Sequence, residues 1–281
     1  MKDGYIPIIG GSISNYGGIE YRSSSNGVFE ELTLSKLDWE LIQEFYEYTY
    51  IFITAYGFET KNDMYKDFVT PLLHIKNTSE GKARDIAKIL LNGAYGKLGM
   101  NGIVEKKEYF IDKGIIKSKI TDISIDETMF QYIPQAIAIT AGARYILLKT
   151  AKKIGFENVY YMDTDSIKFK GDIPNHIEIS DTKLGAWKDE LKGGKADIFK
   201  SIAPKKYIYY VNKELHVACA GFNKHKIIPE LLNISGINLI SNIADAEKVI
   251  SFFEKGFTMD CLQSIKAVGG RALIPVKKSI N

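Results

Sequence analysis

A short polar group separates two strand-favouring runs in the middle of the chain, and it restricts what the surrounding residues can form. Residues 158–169 read Asn-Val-Tyr-Tyr-Met-Asp-Thr-Asp-Ser-Ile-Lys-Phe. Val, Tyr, Ile and Phe favour strands, and a small polar group between two such runs is typical of a tight hairpin turn. The pattern therefore predicts a β-hairpin whose tip carries two carboxylates, Asp163 and Asp165.

The spacing of these two carboxylates suggests a cation. Two carboxylates held close together repel each other unless a positive charge compensates them. Oxygen ligands suit a hard divalent ion, so we expect Asp163 and Asp165 to bind Mg²⁺. A calcium-binding EF-hand loop is excluded, because Ile167 and Lys168 stand where that loop needs an oxygen ligand and a glycine. For Asp-Thr-Asp alone, a solvated turn without metal is the competing interpretation.

An upstream helix carries a second group of polar side chains. The sequence predicts a helix that begins at residues 78–80 and ends near Leu98, where Gly99 follows. At 100° per residue, four side chains share one face within about 80° of arc: Arg84, Lys88, Asn92 and Tyr95. Two cations, an amide and an aromatic ring in line can bind a triphosphate and its sugar. The alternative is a solvated basic face with Tyr95 packed at its edge.

Composition limits the protein class only loosely. The 281 residues are 45% hydrophobic and 25% charged, which is typical of a globular protein with one large or two modest cores. No apolar run has membrane-spanning length, and the N-terminus lacks the apolar segment of a secretion signal. We therefore expect a cytoplasmic protein that does not contact membranes. Cys219 and Cys261 have no zinc-type spacing, so we expect both to be reduced and partly buried.

Positive charge is concentrated in one region although the formal net charge is only +3. Residues 188–226 contain nine lysines against four acids and include Lys205-Lys206-Tyr207. Lysines beside aromatic rings can follow a phosphate backbone and rest on sugars or bases. A solvated lysine-rich face explains the same charges equally well.

The rest of the chain mixes helices and strands. Capping residues and helical periodicity predict further helices over residues 35–45, 62–73, 135–153 and 244–253. β-Branched and aromatic content predicts strands over residues 5–9, 18–21, 50–56, 205–211 and 216–221, with short strands around residues 269–270. Residues 108–117 are β-rich, and residues 112–114 are expected to form a hairpin turn within them. On the helix ending near Leu98, one apolar stripe is predicted to face the core: Ala83, Ile86, Ala87, Leu90, Ala94 and Leu98.

Together these motifs resemble the C-terminal polymerase portion of protein-primed family B DNA polymerases, the type found in phages and linear plasmids. The likeness rests on residues 161–166 (Tyr-Met-Asp-Thr-Asp-Ser), on the upstream residues 88–96 in the required order, and on residues 205–207 (Lys-Lys-Tyr). The resemblance implies an α+β fold of the right-hand polymerase type, here partial. It would have an antiparallel palm sheet, a helical fingers excursion, a β-rich insertion and a small thumb.

The resemblance also divides the chain. Residues 1–60 would form the N-terminal part of the palm and residues 61–99 the fingers. Residues 100–132 would form the β-rich insertion special to protein-primed members, which encircles DNA and aids strand displacement. Residues 133–221 would complete the palm with the catalytic hairpin, and residues 222–281 would form the thumb.

Residue roles follow from the same resemblance. Asp165 would be a direct ligand of two catalytic Mg²⁺ ions. Asp163 would hold the turn and add the electrostatic field of its carboxylate at the metal site. Lys88 would bind the triphosphate of the incoming dNTP. The remaining candidates would assist: Arg84 and Lys76 at the triphosphate, Asn92 and Tyr95 at the sugar and nascent pair, and Lys205, Tyr207, Tyr161 and Thr164 at the primer-template DNA. The implied partners are that DNA, the dNTP and a terminal priming protein.

One family element has no match. The first polymerase motif, Asp-x-x-Ser-Leu-Tyr-Pro, supplies a second metal-binding Asp, and nothing in residues 1–60 fits it. The acidic exonuclease domain has no match either. We therefore expect the chain to need a second chain that supplies both. A catalytically inactive DNA-binding remnant is the rival interpretation, and an RNA-templated polymerase is a weaker one, since it would be expected to present two adjacent aspartates.

Overall fold

The computed structural model describes residues 6–9, 19–22, 24–29, 31–59, 61–100, 102–112, 115–126, 132–267 and 270–280. The chain divides into two compact units, residues 1–102 with 125–149 and residues 103–124 with 150–281. Both contain helices and small antiparallel sheets, as an α+β chain should. Within the described ranges, no helix combines the length and the apolar character needed to cross a membrane.

In its described residues, the first unit contains a strand pair and four helices. Strands β1 (Ile6–Ile9) and β2 (Ile19–Arg22) are antiparallel. The helices are α1 (Lys36–Phe45), α2 (Lys66–Thr78), α3 (Gly81–Leu98) and α4 (Ile133–Ile154), of which α4 continues into the second unit. Helices α2 and α3 pack against each other.

A buried ion pair connects α1 to α4. The predicted cap of α1 is confirmed, because the Ser35 Oγ accepts the Asp38 backbone N–H at 3.1 Å. The buried Asp38 carboxylate accepts three N–H···O contacts of 3.0–3.1 Å from Arg144. A second pair, Lys149 with Glu44, joins the same helices at 2.6 Å. Charge-assisted bonds of this kind fix the register of two helices.

Three expectations in the first unit are wrong. The strand predicted over residues 50–56 is absent, and its large side chains are 60–82% exposed, from Tyr50 to Tyr56. No described strand pairs with this segment, so its backbone has no ladder to join. The helix expected from Asn62 begins at Lys66 without a side-chain cap. The helix expected to open at Thr78 begins at Gly81, because α2 itself extends to Thr78.

The apolar stripe of α3 is also largely exposed. Ala87 and Leu98 are buried, as predicted, whereas Ile86 and Leu90 are 57% and 46% exposed. Helical periodicity therefore located the face correctly but not the degree of burial, because burial depends on which other elements lie against the helix.

The second unit is mostly β. It contains hairpins β3–β4 (Ile103–Asp112, Ile115–Ile125), β5–β6 (Val159–Asp163, Ser166–Phe169) and β10–β11 (Phe257–Ala267, Gly270–Ile280). The three-stranded sheet is β7 (Ile198–Ala203), β8 (Lys206–Val211) and β9 (Glu214–Cys219). Helices α5 (Lys224–Ser235) and α6 (Ile243–Lys255) follow it.

The main core of the second unit lies between one face of the β7–β8–β9 sheet and helices α5 and α6. Ile208, Leu231, Val249 and Phe253 have no exposed surface. The sequence missed α5 and β7 and predicted short strands where the 11-residue β10 and β11 lie. Predicted strand or turn residues 5, 18, 113–114 and 268–269 lie outside the described ranges.

Candidate active site

The predicted hairpin tip is confirmed. Asp163 pairs with Ser166 across β5 and β6, so Thr164 and Asp165 are the two turn residues. Thr164 has a φ of +49°, in the left-handed region that tight two-residue hairpin turns require. The ladder is regular from Tyr161 to the tip, and its register shift lies at the opposite end, between Val159 and Tyr161. The sequence therefore positioned both carboxylates correctly at the end of a short ladder.

The two carboxylates have different surroundings. Asp163 is half-buried and accepts the Thr164 hydroxyl at 2.9 Å and the Tyr161 hydroxyl at 3.4 Å. Its backbone carbonyl accepts the Ser166 hydroxyl at 3.2 Å. Asp165 is exposed, and its carboxylate has no hydrogen-bond partner among the described residues. Asp163 therefore stabilises the turn, and Asp165 is the carboxylate that is open to a ligand.

The donor set at this tip fits a hard cation only in part. Oxygen atoms on a rigid turn suit Mg²⁺, which usually keeps several waters and takes one or two protein carboxylates. No group of three or more His, Cys, Asp or Glu side chains that could hold a metal occurs in the described part of the chain. Asp165 and Asp163 can therefore supply two ligands, and the remaining positions would need oxygens from water or a bound phosphate.

Tyr161 joins this hairpin to the three-stranded sheet. Its hydroxyl accepts the Lys205 backbone N–H at 2.8 Å, and its ring lies 5.1 Å from the Tyr207 ring. Lys205 has a φ of +60° in the turn between β7 and β8, which aims its N–H at Tyr161. Burial raises the pKa of Tyr161, partly opposed by the Lys205 N–H and reinforced by the Asp163 charge. The phenol therefore stays protonated at neutral pH and can donate to Asp163.

Aromatic side chains continue from Tyr161 across the sheet. Phe199, Tyr207, Tyr209 and His216 follow one another with ring-centroid separations of 5.7, 6.4 and 4.9 Å. Burial raises the pKa values of Tyr207 and Tyr209 as well. We call these four residues together with Tyr161 the aromatic row. Of its members, sequence reasoning found only Tyr161 and Tyr207.

Lys168 lies at the side of this row and was also missed. Its Nζ is 6.0 Å from the Tyr207 ring centre and 2.7 Å from the Glu190 carboxylate. The spacing of Tyr207 and Tyr209, two apart on one strand, was the available sequence signal for an aromatic face. The contribution of Phe199 could not be recognised because β7 was not predicted.

The helix residues predicted to bind a triphosphate all belong to the first unit. Arg84, Lys88, Asn92 and Tyr95 are exposed along α3, and Lys76 lies half-buried in the last turn of α2. Their common helical face is as predicted. Asp163 and Asp165 belong to the second unit, so their convergence with this face on one nucleotide stays a prediction.

Comparison with known proteins gives consistent matches. Residues 2–183 match the family model described as DNA polymerase type B, organellar and viral. The chain is 36% identical over 214 residues to the DNA polymerase of Bacillus phage PZA. That alignment covers 74% of this chain and 36% of the phage protein. The DNA polymerase of Bacillus phage phi29 is 35% identical to the chain over 214 residues, and that alignment covers the same fractions of the two proteins.

Solved structures of a phage DNA polymerase also resemble the chain. Phi29 DNA polymerase complexed with primer-template DNA and incoming nucleotide substrates aligns with a TM-score of 0.72 at 27% identity. That alignment covers 99% of this chain and 49% of the solved chain. The orthorhombic crystal form of the same polymerase gives a TM-score of 0.67. The chain therefore spans 36% to 49% of the length of these relatives.

Proposed function

Because the chain belongs to the organellar and viral family of type B DNA polymerases, we propose that it serves template-directed DNA synthesis as part of a protein-primed polymerase. The reaction is nucleotidyl transfer from a dNTP to a primer 3′-hydroxyl or to a hydroxyl of a terminal protein. The observation that carries this proposal is the open Asp165 carboxylate on a turn that Asp163, Thr164 and Tyr161 stabilise.

Asp165 and Asp163 would hold the catalytic metal. When bound, Mg²⁺ activates the attacking hydroxyl and neutralises charge on the transferring phosphoryl group. Asp165 contributes the exposed ligand oxygens, and Asp163 orients the tip through the Thr164 hydroxyl. The electrostatic field of both carboxylates also favours the cation at this end of the hairpin.

The α3 face would bind the incoming nucleotide. Lys88 pairs with the triphosphate as a point charge, and Arg84 and Lys76 add positive charge beside it. Asn92 and Tyr95, one and two turns further along α3, meet the sugar and the nascent base pair. Support comes from the exposure of the α3 side chains in register on one helical face.

Lys205 and Tyr207 would position the primer strand. The Lys205 side chain is exposed while its backbone N–H is bonded to Tyr161, so backbone and side chain serve different partners. Tyr161 and Thr164 are close enough to Asp163 to bring the primer end to the metal. A strand held at Tyr207 would therefore end beside Asp165.

The division into polymerase subdomains is part of the proposal. Residues 1–60 and 133–221 form the palm, residues 61–99 the fingers, residues 100–132 the insertion, and residues 222–281 the thumb. The helical pair α2–α3 and the hairpin β3–β4 support the assignments of fingers and insertion. Helices α5 and α6 with the β10–β11 hairpin support a separate thumb.

A second principal metal-binding Asp would come from a segment other than residues 1–281. We propose that turnover requires a polypeptide segment bearing Asp-x-x-Ser-Leu-Tyr-Pro, because two-metal catalysis needs carboxylates on both sides of the ions. The exonuclease domain would come from the same source, and synthesis would take place in the cytoplasm of a bacterial host. A DNA-binding remnant without catalysis is the second candidate, favoured by an aromatic row that needs no metal.

Complemented primer extension separates these two functions. The chain is mixed with, or fused to, the segment of a phage relative that carries the first motif, and extension of a labelled primer is followed with Mg²⁺ and dNTP. Asp165→Asn is expected to reduce the rate by roughly 1000-fold or more while primer-template affinity changes by less than about twofold. The control Asp181→Asn alters an exposed residue paired with Lys188 and should extend normally. Extension unaffected by Asp165→Asn would exclude the polymerase proposal.

A further inference from the structure

The three-stranded sheet has one face that the described helices leave uncovered. Ile208 and Tyr210 point to the face packed on α5 and α6, so Tyr207 and Tyr209 point to the other. On that other face, Tyr209 stands directly between Phe199 of β7 and His216 of β9. Register therefore aligns three members of the aromatic row, Phe199, Tyr209 and His216, with one ring from each strand of the sheet.

The far end of this row is exposed. Tyr209 and His216 stack with their rings 4.9 Å apart and 11° from parallel, and 43% of the His216 side chain is exposed. Strand β9 is the edge of the sheet, and an open groove of about 250 Å³ runs along it. Tyr207, Tyr209 and His216 line this groove together with His225 of α5.

The groups around His216 suit a phosphate better than an apolar partner. An imidazole N–H can donate to a phosphate oxygen, and His225 adds a second imidazole to the lining of the groove. The Glu214 carboxylate, 3.9 Å from His216 Nε2 and 77% exposed, is the acid nearest to it. Lys168 Nζ lies 6.0 Å from the Tyr207 ring centre but is paired with Glu190 at 2.7 Å, so the imidazole remains the donor available to a phosphate here.

The row is continuous with the primer-binding residues. Tyr161 and Tyr207 are 5.1 Å apart, Tyr207 and Tyr209 6.4 Å, and Tyr209 and His216 4.9 Å. Rings at such intervals can support successive sugars of one strand, because stacking and sugar contacts do not depend on base identity. A strand that leaves Tyr207 away from the hairpin tip therefore meets Tyr209 and then His216.

We propose that Tyr209 and His216 extend the primer-strand contact upstream of the primer terminus. Tyr209 packs against a sugar, and His216 donates an N–H to an internal phosphate of the primer strand. This rests on the proposed function, which brings the primer end to Tyr207. The partner is the sugar–phosphate backbone of DNA, so the contact is independent of sequence.

Equilibrium binding to chemically altered primers tests the contact without turnover. Primer-template duplexes carry one neutral methylphosphonate at each of the first eight primer linkages, and affinity is measured by fluorescence anisotropy without Mg²⁺ or dNTP. One internal linkage is expected to lower wild-type affinity by roughly 3-fold to 10-fold. His216→Ala should lower affinity for the unmodified duplex by the same factor and be insensitive to that linkage.

Four further variants make the result specific. His176→Ala removes an exposed imidazole elsewhere in the same unit and should retain wild-type affinity and linkage sensitivity. Glu214→Gln removes the acid beside His216 and should raise affinity about twofold. Tyr209→Phe should bind like wild type, whereas Tyr209→Ala should lose affinity. Far-ultraviolet circular dichroism and thermal unfolding check that each variant is folded.

The failure of this inference differs from that of the proposed function. If folded His216→Ala binds as wild type does and keeps the same linkage sensitivity, or if no duplex binds the wild type, the inference is wrong. If the linkage result holds but complemented extension is absent, the upstream contact stands and the synthetic function falls.

Discussion

Asp163 and Asp165 illustrate how two carboxylates separated by one residue acquire different roles through their neighbours. Asp163 is committed to the hydroxyls of Thr164 and Tyr161, whereas Asp165 faces solvent. The two hydroxyls bond to different oxygens of Asp163. An Asn at position 163 keeps an acceptor oxygen for one of them and presents an NH2 group that the other hydroxyl oxygen can accept, so the turn should survive. The Asn variant loses one negative charge near the proposed metal site.

Asp163→Asn is therefore expected to be the milder of the two amide substitutions. It should slow complemented single-turnover extension by roughly 10-fold to 100-fold, against roughly 1000-fold for Asp165→Asn. Rapid-quench kinetics at saturating dNTP measures both. Equal losses for the two variants would show that both carboxylates are equivalent metal ligands.

Tyr161 joins two motifs that are distant in sequence, since Lys205 lies 42 positions after Asp163. Tyr161→Phe removes the hydroxyl that contacts both and should lower the free energy of unfolding by about 1 kcal/mol. Primer-template affinity should fall as well, because Tyr207 loses a fixed neighbour. Urea unfolding and anisotropy measure these effects. Tyr160→Phe is the matched control, since that ring is 59% exposed on the neighbouring position.

The two cysteines should differ in reactivity. Cys219 is buried and burial raises the pKa of its thiol, whereas Cys261 is half-buried. Because the thiolate is the reactive form, Cys261 should be alkylated faster by iodoacetamide at pH 8. Peptide mass spectrometry over time measures both rates, and the difference should disappear in urea. Faster alkylation of Cys219 in the folded protein would contradict the burial of its thiol.

At the scale of elements, the second unit depends on the packing of α6 against the β7–β8–β9 sheet. Phe253 has no exposed surface and lies in the core with Ile208 and Val249. Phe253→Ala should therefore cost about 3–5 kcal/mol of unfolding free energy, through lost burial and the cavity left behind. Urea unfolding followed by circular dichroism measures it. Leu239→Ala, at a 76% exposed position, should change stability by less than about 0.5 kcal/mol.

Elements with strong local signals could be predicted from the sequence. The Asp163–Ser166 turn, the Ser35 cap and the helix α4 before Gly155 all depend on neighbouring residues, and all three were correct. Segments that depend on distant partners could not be predicted. Residues 50–56 have strand composition but no described strand beside them, and Pro229 inside α5 obscured that helix.

The candidate site also combines features that local sequence predicts with features that depend on distant residues. Its carboxylates and basic helical face follow from spacing within single elements. The Tyr161–Lys205 bond and the Phe199–Tyr209–His216 register join strands far apart in sequence, and no local pattern specifies them. Residues that act together across strands therefore could not be identified from the sequence alone.

At the scale of the whole molecule, the proposed chemistry is divided between two compact units. The triphosphate-binding candidates lie on α2 and α3 of the first, and the metal-binding candidates lie on the β5–β6 hairpin of the second. Helix α4 passes from one unit to the other. The proposed function requires Asp165 and Lys88 to act on the same nucleotide.

Metal-directed backbone cleavage tests that claim most directly. Fe²⁺ replaces Mg²⁺ at oxygen-ligand sites, and with ascorbate and peroxide it cleaves the polypeptide next to where it is bound. With primer-template and dNTP present, fragments should end near Asp165 and near Lys88, and Asp165→Asn should abolish both. Cleavage near Asp165 without any near Lys88, in the presence of dNTP, would contradict a shared nucleotide site.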